Sequence, residues 1–351
     1  MTNENKLLLR ALRGDVCPSV PFWLMRQAGR YLPEYRDLRA RKGGFLDMVY
    51  DPEAACEITM QPVRRFEMDG AILFSDILVI PQAMGQRLTF TAGEGPKLDP
   101  VRQEKDLDVL NVDHLDRTLS PIYQTLKNIR AGLIQEKFGH VATLGFAGAP
   151  WTIACYMVEG AGSRDFEHVK AAAFQSPAFF ARLIGMIETA AIHYLSRQIE
   201  SGAEAVQIFD SWAGVCDEKQ FAEWVIEPTA RIVSALKARY PGIPVIGFPR
   251  GAGVMARDYA VQTGVDAVGI DYTANIAWVR EQISERGLTV QGNLDPVRLL
   301  AGGEALRDEA IRILKIFSGV PFIFNLGHGV IKETPPEHVA HLTQIIRDFQ
   351  A

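Results

Sequence analysis

Eight short apolar runs, each ending in glycine or a polar residue, punctuate the chain: VPFWLM from Val20, GAILFSD from Gly70, VATLGFAG from Val141, AVQIFDSW from Ala205, PVIGFPRG from Pro244, DAVGID from Asp266, LTVQGNLD from Leu288 and PFIFNLGHG from Pro321. They are rich in β-branched and aromatic residues and do not alternate strictly with polar ones, which suits parallel strands buried on both faces. Longer segments of helical character lie between them, among them SPAFFARLIGMIETAAIHYLSRQIESG and EKQFAEWVIEPTARIVSALKARYPG. Eight strand and helix units in series predict an α/β fold, a closed (β/α)₈ TIM barrel. The run QRLTFTAGEGPKLD alternates like a hairpin and predicts an excursion after the second strand. With no low-complexity linker to divide it, residues 1–351 read as a single catalytic domain.

At 351 residues and 48% hydrophobic, the chain can bury a large core. Its formal net charge of -5 gives no diffuse basic surface for nucleic acid or anionic membrane. The opening MTNENKLLLRALRGD lacks the apolar centre of a secretory signal, and no uninterrupted apolar run long enough to span a bilayer follows, so a cytoplasmic location is expected. Cys17, Cys56, Cys155 and Cys216 are scattered and form no Cys-x-x-Cys, and the seven histidines include no His-x-x-x-His pair. Neither a disulfide framework nor a metal site is expected.

A barrel of this kind builds its site at the carboxyl ends of its strands. The polar residues there are Arg26, Gln27 and Arg30 after the first run, Asp76 after the second, Asp210 and Ser211 after the fourth, then Arg250, Asp271, Asn293, Asp295, Asn325 and His328. Asp271, Asp295 and Asn325 are assigned to helix caps and turns, which favour those residue types. Asp76 sits between two apolar runs, where a carboxylate requires cationic or N–H partners. Arg26 and Arg30 flank Ala28 and Gly29, which let the chain turn sharply, and paired arginines suit a polyanion. Arg36 is assigned to a solvated helix face. GAGVMA, starting at Gly251, fits G-x-G-x-x-A, but a single match in the fifth unit is a weak sign of a dinucleotide site.

PFWLMRQAGR and GFAGAPWTIACYMVEG resemble the two signatures of the uroporphyrinogen decarboxylase family, and FSDILVIPQAMG, QIFDSWAG, GIDYT, QGNLDP and NLGHG continue the likeness through nearly the whole chain. The resemblance implies a single-domain barrel, usually a homodimer. It also implies an enzyme that converts the four acetate side chains of uroporphyrinogen III to methyl groups in heme biosynthesis without metal or organic cofactor. On that basis Asp76, Arg26 and Tyr156 are the expected catalytic residues. Gln27, Ala28, Gly29, Arg30, Arg39, Ile77, Phe146, Phe209, Ser211 and His328 complete the expected substrate-binding set. The rival expectations are a corrinoid- or thiol-dependent methyltransferase of the same superfamily and a tetrapyrrole carrier without turnover.

Overall fold

In the computed structural model, which describes residues 5–91 and 95–349, seven of the eight apolar runs form one curled, entirely parallel sheet. Its strands are β1 (Gly70–Ile72), β4 (Ala142–Gly148), β5 (Ala205–Asp210), β6 (Val245–Pro249), β7 (Ala267–Gly269), β8 (Thr289–Leu294) and β9 (Phe322–Leu326), paired in that order. Helices cover the outside, and β4, β6, β8 and β9 are buried at every position, which is why these runs show no polar alternation. Two further strands, β2 (Leu88–Thr91) and β3 (Gly95–Leu98), pair antiparallel between β1 and β4. Ala92, Gly93 and Glu94 of the QRLTFTAGEGPKLD run lie outside the described residues.

The first run differs from the expectation of a full strand. Phe22 makes a single parallel bridge to Phe324, with Phe324 N donating to Pro21 O at 2.9 Å and Trp23 N to Phe324 O at 3.3 Å. On its other side Asp69 N donates to Phe22 O at 2.9 Å. The segment therefore lies between β9 and the start of β1, and side chains supply the bonds that a longer ladder would have made. Asp69 Oδ2 accepts from Phe22 N, Asn325 Oδ1 from Met25 N, and Gln27 Nε2 donates to Gly70 O, each at 2.9 Å.

Inside the curl, Trp23 Nε1 donates to Gln291 Oε1 at 2.9 Å and Gln291 Nε2 to Gln207 Oε1 at 3.0 Å. Three buried polar side chains on the first segment, β8 and β5 thus satisfy one another across the interior. Beneath them the short helix Leu7–Leu12 sets Leu8, Leu9 and Leu12 against Ala142, Leu144, Ala205 and Ile246. Lys6 anchors this helix: its Nζ meets Glu204 Oε2 at 2.7 Å, and the same oxygen takes Arg130 Nη1 at 2.7 Å. The helix Pro177–Glu200 is long and apolar enough to cross a membrane by length and composition, yet half of its most apolar window is buried within the fold. Its Gln198 brackets β4, accepting from Phe146 N and donating to Phe146 O.

Removing the carboxylate that neutralises two cations under the sheet is expected to be costly. Glu204→Ala should lower unfolding free energy by about 3 kcal/mol, the order found when one partner of a buried ion pair is deleted. A urea titration checks this, and a loss below about 1 kcal/mol would show that Lys6 and Arg130 reach water easily.

Candidate active site

The carboxyl ends of the strands carry the expected polar residues, and they separate into two groups by what their side chains touch. The first group supports the backbone. Asp271 accepts from Gly251 N at 2.7 Å with Oδ2 and from Thr273 N at 2.8 Å with Oδ1. Asp295 caps the helix Pro296–Ala301 through Val297 N, Asn293 Nδ2 donates to Asp271 O, and Asn325 Oδ1 takes both Met25 N and Leu326 N. Because Asp271 closes onto Gly251 itself, the G-x-G-x-x-A turn has its first N–H occupied, and Asp271 is engaged by the turn rather than free for a ribose.

The side chain of Gln27 joins this group. Its side chain is fully buried, with Oε1 accepting from Leu24 N at 3.0 Å and Nε2 bound to Gly70 O. Arg36 is exposed, yet it folds back to donate to the carbonyls of Arg30 and Tyr31 at 2.9 and 3.1 Å, bracing the turn that carries Arg30. Asp210 also turns inward. Its Oδ1 accepts from Thr152 Oγ1 at 2.5 Å while Oδ2, fully buried, has no hydrogen-bond partner among the described residues, and Thr152 in turn takes Trp212 N at 3.0 Å. Burial pushes the Asp210 carboxyl up to about 7, against the pull of Thr152.

The second group faces the mouth. Arg26 adopts φ 60°, a left-handed conformation rare outside glycine. Its side chain then lies across Gly329, where an added Cβ would fall 2.3 Å from Arg26 Cδ, so Gly329 is required for this placement. Arg26 acts electrostatically on Asp76, Tyr156 and His328, which brings four of the expected residues together. Asp76 Oδ1 accepts from Leu78 N at 2.8 Å; burial pushes its carboxyl up, while the Leu78 N–H and Arg26 hold it down. Tyr156, on the helix Pro150–Glu159, has its phenol pushed up by burial and by Asp76 and is therefore held protonated. Gly148 permits the approach of this helix, since a Cβ there would sit 2.9 Å from Ile153 and 3.0 Å from Ile77.

Arg30 is exposed, Arg39 is half-buried on the helix Pro33–Lys42, and both act electrostatically on Tyr35. Among the described residues Arg26, Arg30 and Arg39 make no ion pair within the protein. Ser211 and His328 are half-buried with their polar side-chain atoms free of hydrogen bonds among those residues. His328 is held well below its usual range, at about 4, by burial and by Arg26 and Arg250, so it is neutral near pH 7. Phe146 and Phe209 meet edge to face at 5.5 Å, and Phe209 continues to Phe248 at 6.0 Å, forming an apolar wall. Ile77 and Tyr156 pack beside Leu78, Leu88 and Leu98, so the β2 and β3 excursion borders the mouth. Ala28 packs on the core and Gly29 completes the turn between the two arginines. Trp212, to which the sequence had assigned nothing, stands 6.1 Å from the Tyr156 ring. Among the described residues no group of three or more His, Cys, Asp or Glu side chains is placed to hold a metal ion.

A curled parallel α/β sheet whose carboxyl edge carries Asp76 beside arginines without an ion pair among the described residues defines a TIM-barrel-like class of protein. Comparison with known proteins narrows that class. Residues 3–349 match the family model described as uroporphyrinogen decarboxylase (URO-D). The chain is 53% identical over 344 residues to the uroporphyrinogen decarboxylase of Rhizorhabdus wittichii, covering 98% of each chain. It is 53% identical over 347 residues to that of Sphingopyxis alaskensis, covering 99% of each. The chain belongs to the uroporphyrinogen decarboxylase family. A solved methyltransferase from Methanosarcina mazei shares the fold, with a TM-score of 0.81 over 99% of both chains at 21% identity.

The two shifted groups impose opposite pH dependences on stability. His328, ordinarily at 6.5 and held at about 4 in the fold, leaves the unfolded chain with more protons between those values, so stability is lost as pH falls through that window. Asp210, ordinarily at 3.8 and raised to about 7, leaves the folded chain with more protons, so its contribution is lost as pH rises. Asp210→Asn should therefore make stability climb more steeply from about pH 4.5 to 6.5, by up to roughly 1.4 kcal/mol per unit, and His328→Gln should tilt the curve the other way. Urea midpoints taken at half-unit steps read both slopes; parallel curves for all three proteins would contradict the assignment.

Proposed function

We propose that this chain removes carbon dioxide from the four acetate side chains of uroporphyrinogen III, giving coproporphyrinogen III, and uses no metal or organic cofactor. The observation that carries the reading is the half-buried carboxylate of Asp76 under the electrostatic influence of Arg26, at the mouth of a chain half identical to decarboxylases along nearly its full length. The substrate's eight carboxylates supply the negative charge that Arg26, Arg30 and Arg39 lack within the protein. Tyr156, Ser211 and His328 add neutral hydrogen-bonding groups for acetate and propionate oxygens, and Ile77, Phe146 and Phe209 enclose the apolar faces of the macrocycle.

The pyrrole serves as its own electron sink. A proton added to a ring carbon beside the acetate makes an iminium-like cation. The bond to the carboxylate then breaks, carbon dioxide leaves, and its electron pair neutralises the ring as an exocyclic methylene. A proton taken by that methylene and another released from the ring carbon complete the methyl group, so the net change is one proton consumed and one carbon dioxide released. Asp76 accepts hydrogen bonds from pyrrole N–H groups and stabilises the cation as it forms. These bonds also favour its ionised form, opposing the upward push of burial. Tyr156, held protonated, donates to the reacting carboxylate and orients it. Arg26 anchors carboxylate; a guanidinium is too weak an acid to be the favoured proton source.

The same reading places the Phe22 segment as the eighth stave of a (β/α)₈ barrel with β2 and β3 as its decorating hairpin, residues 1–351 as one domain, and the enzyme as a cytoplasmic homodimer. Size-exclusion chromatography with light scattering tests the last point.

Purified, metal-free protein incubated anaerobically with reduced uroporphyrinogen should yield products stepping from eight carboxylates to four. Binding without loss of carboxylates would replace this reading with a carrier; neither binding nor turnover, together with bound zinc, would favour the methyltransferase. Asp76→Asn should leave the unfolding midpoint near that of the parent and lower turnover at least about tenfold, roughly 1.4 kcal/mol of transition-state stabilisation. Unchanged turnover in that variant would remove Asp76 from the chemistry.

A further inference from the structure

Arg250 follows β6, and the strand order puts β6 as far as the sheet allows from the Phe22 segment, three strands beyond β1 in one direction and three beyond β9 in the other. Its backbone is fixed from three sides. Arg250 N donates to Asp210 O at 3.0 Å, Gly214 N donates to Arg250 O at 2.9 Å, and the next residue, Gly251, gives its N–H to Asp271. Gly214 and Gly251 are pressed so close that a Cβ on Gly214 would fall 2.6 Å from Gly251 O, and Gly251 holds φ 76°. The loop root is thus rigid, while the guanidinium it carries has no hydrogen bond or ion pair among the described residues. The residue is half-buried, and its charge acts on the imidazole of His328, the same ring that Arg26 acts on from the first segment. A cation held this firmly, beside a neutral imidazole and without a carboxylate in the protein, has the form of an anion anchor rather than of a surface residue.

We propose that Arg250 is a further substrate-binding residue, taking a carboxylate of the macrocycle across the mouth from Arg26 with His328 between them. This rests on the functional reading above and extends it. One cation at the first segment and one at β6 hold the substrate at two separated points, so that the ring under attack is set over Asp76 by the grip on its distant side chains.

Two variants test it. Arg250→Met keeps much of the side-chain length without charge, and Arg250→Lys restores the charge without the planar fork. Arg250→Met is expected to raise KM for uroporphyrinogen at least about tenfold while kcat changes less than about threefold, with Arg250→Lys recovering most of the loss and both unfolding midpoints staying near the parent's. An unchanged KM would overturn the proposal, as would a fall in kcat alone or a loss shared equally by both variants with a lowered midpoint, which marks a structural residue. Should the parent protein fail to turn over uroporphyrinogen, the functional reading falls separately, and Arg250 is then read by fluorescence titration with the oxidised octacarboxylic porphyrin, where Arg250→Met must still weaken binding about tenfold. Comparing that ligand with the tetracarboxylic porphyrin identifies the side chain: equal weakening assigns a propionate, and weakening confined to the octacarboxylic ligand assigns an acetate.

Discussion

The site depends on how the first segment is held in the gap between β9 and β1. A strand there would have been fixed by a ladder of backbone bonds; here the single Phe22 to Phe324 bridge is reinforced by buried side chains. Asp69 receives Phe22 N and is itself met by Arg347 Nη1 at 3.1 Å, Asn325 receives Met25 N, and Gln27 ties Leu24 N to Gly70 O. These bonds pair buried backbone groups with buried side chains, Asn325 Nδ2 alone among the groups named here having no partner among the described residues, so a polar cluster that would cost several kcal/mol unpaired becomes a positioning device. Freed from a ladder at its end, the chain can turn through Arg26 in a left-handed conformation and lay that side chain over Gly329. Backbone strain of this kind costs on the order of 1–3 kcal/mol and persists where the surroundings determine it, as the seam does here.

Electrostatics at the mouth follow from what the seam leaves unpaired. The protein is acidic as a whole, at -5, yet Arg26, Arg30, Arg39 and Arg250 find no carboxylate among the described residues, while elsewhere arginines such as Arg64 and Arg231 are taken up by glutamates. Arg36, the member of the opening run nearest to Arg30, is diverted to backbone carbonyls and serves as a brace. Cationic charge at this edge is therefore concentrated on side chains whose roots are rigid, which lowers the ordering cost of gripping an anion. The neutral state of His328 belongs to the same balance: two nearby guanidiniums and burial keep it from adding a further charge, and leave its ring nitrogens for hydrogen bonding.

Much of this was legible in the residues. Seven of eight apolar runs became strands because burial on both faces demands continuous apolar sequence, a signal that survives without tertiary information. Val20 to Met25 carried the same signal but lacks ladder partners, and only the surrounding Asp69, Gln27 and Asn325 explain how it stays in place. For Gln27 the position beside Arg26 was visible while the direction of its side chain was not; a glutamine whose two ends match a buried N–H and a buried carbonyl can be recognised only when β1 is placed next to it. The Trp23, Gln291 and Gln207 chain was equally hidden, since its members are far apart in sequence and each looks like an isolated polar residue in a strand.

The aspartates at the strand ends show why residue type could not separate structure from chemistry. Asp76, Asp271 and Asp295 all accept from the N–H two positions on, so their local turns are alike. What differs is the second carboxylate oxygen. In Asp271 it is consumed by Gly251 N, while in Asp295 the helix cap is partly exposed and solvent competes for the charge. In Asp76 that oxygen has no hydrogen-bond partner among the described residues, although burial penalises its charge and only Arg26 among side chains offsets the penalty. A carboxylate in that state has unused acceptor capacity in a place where each added N–H is worth more than in water. The capacity of Asp76 to accept further N–H groups, on which its proposed role toward the pyrrole ring rests, is thus set by what the protein withholds from that oxygen.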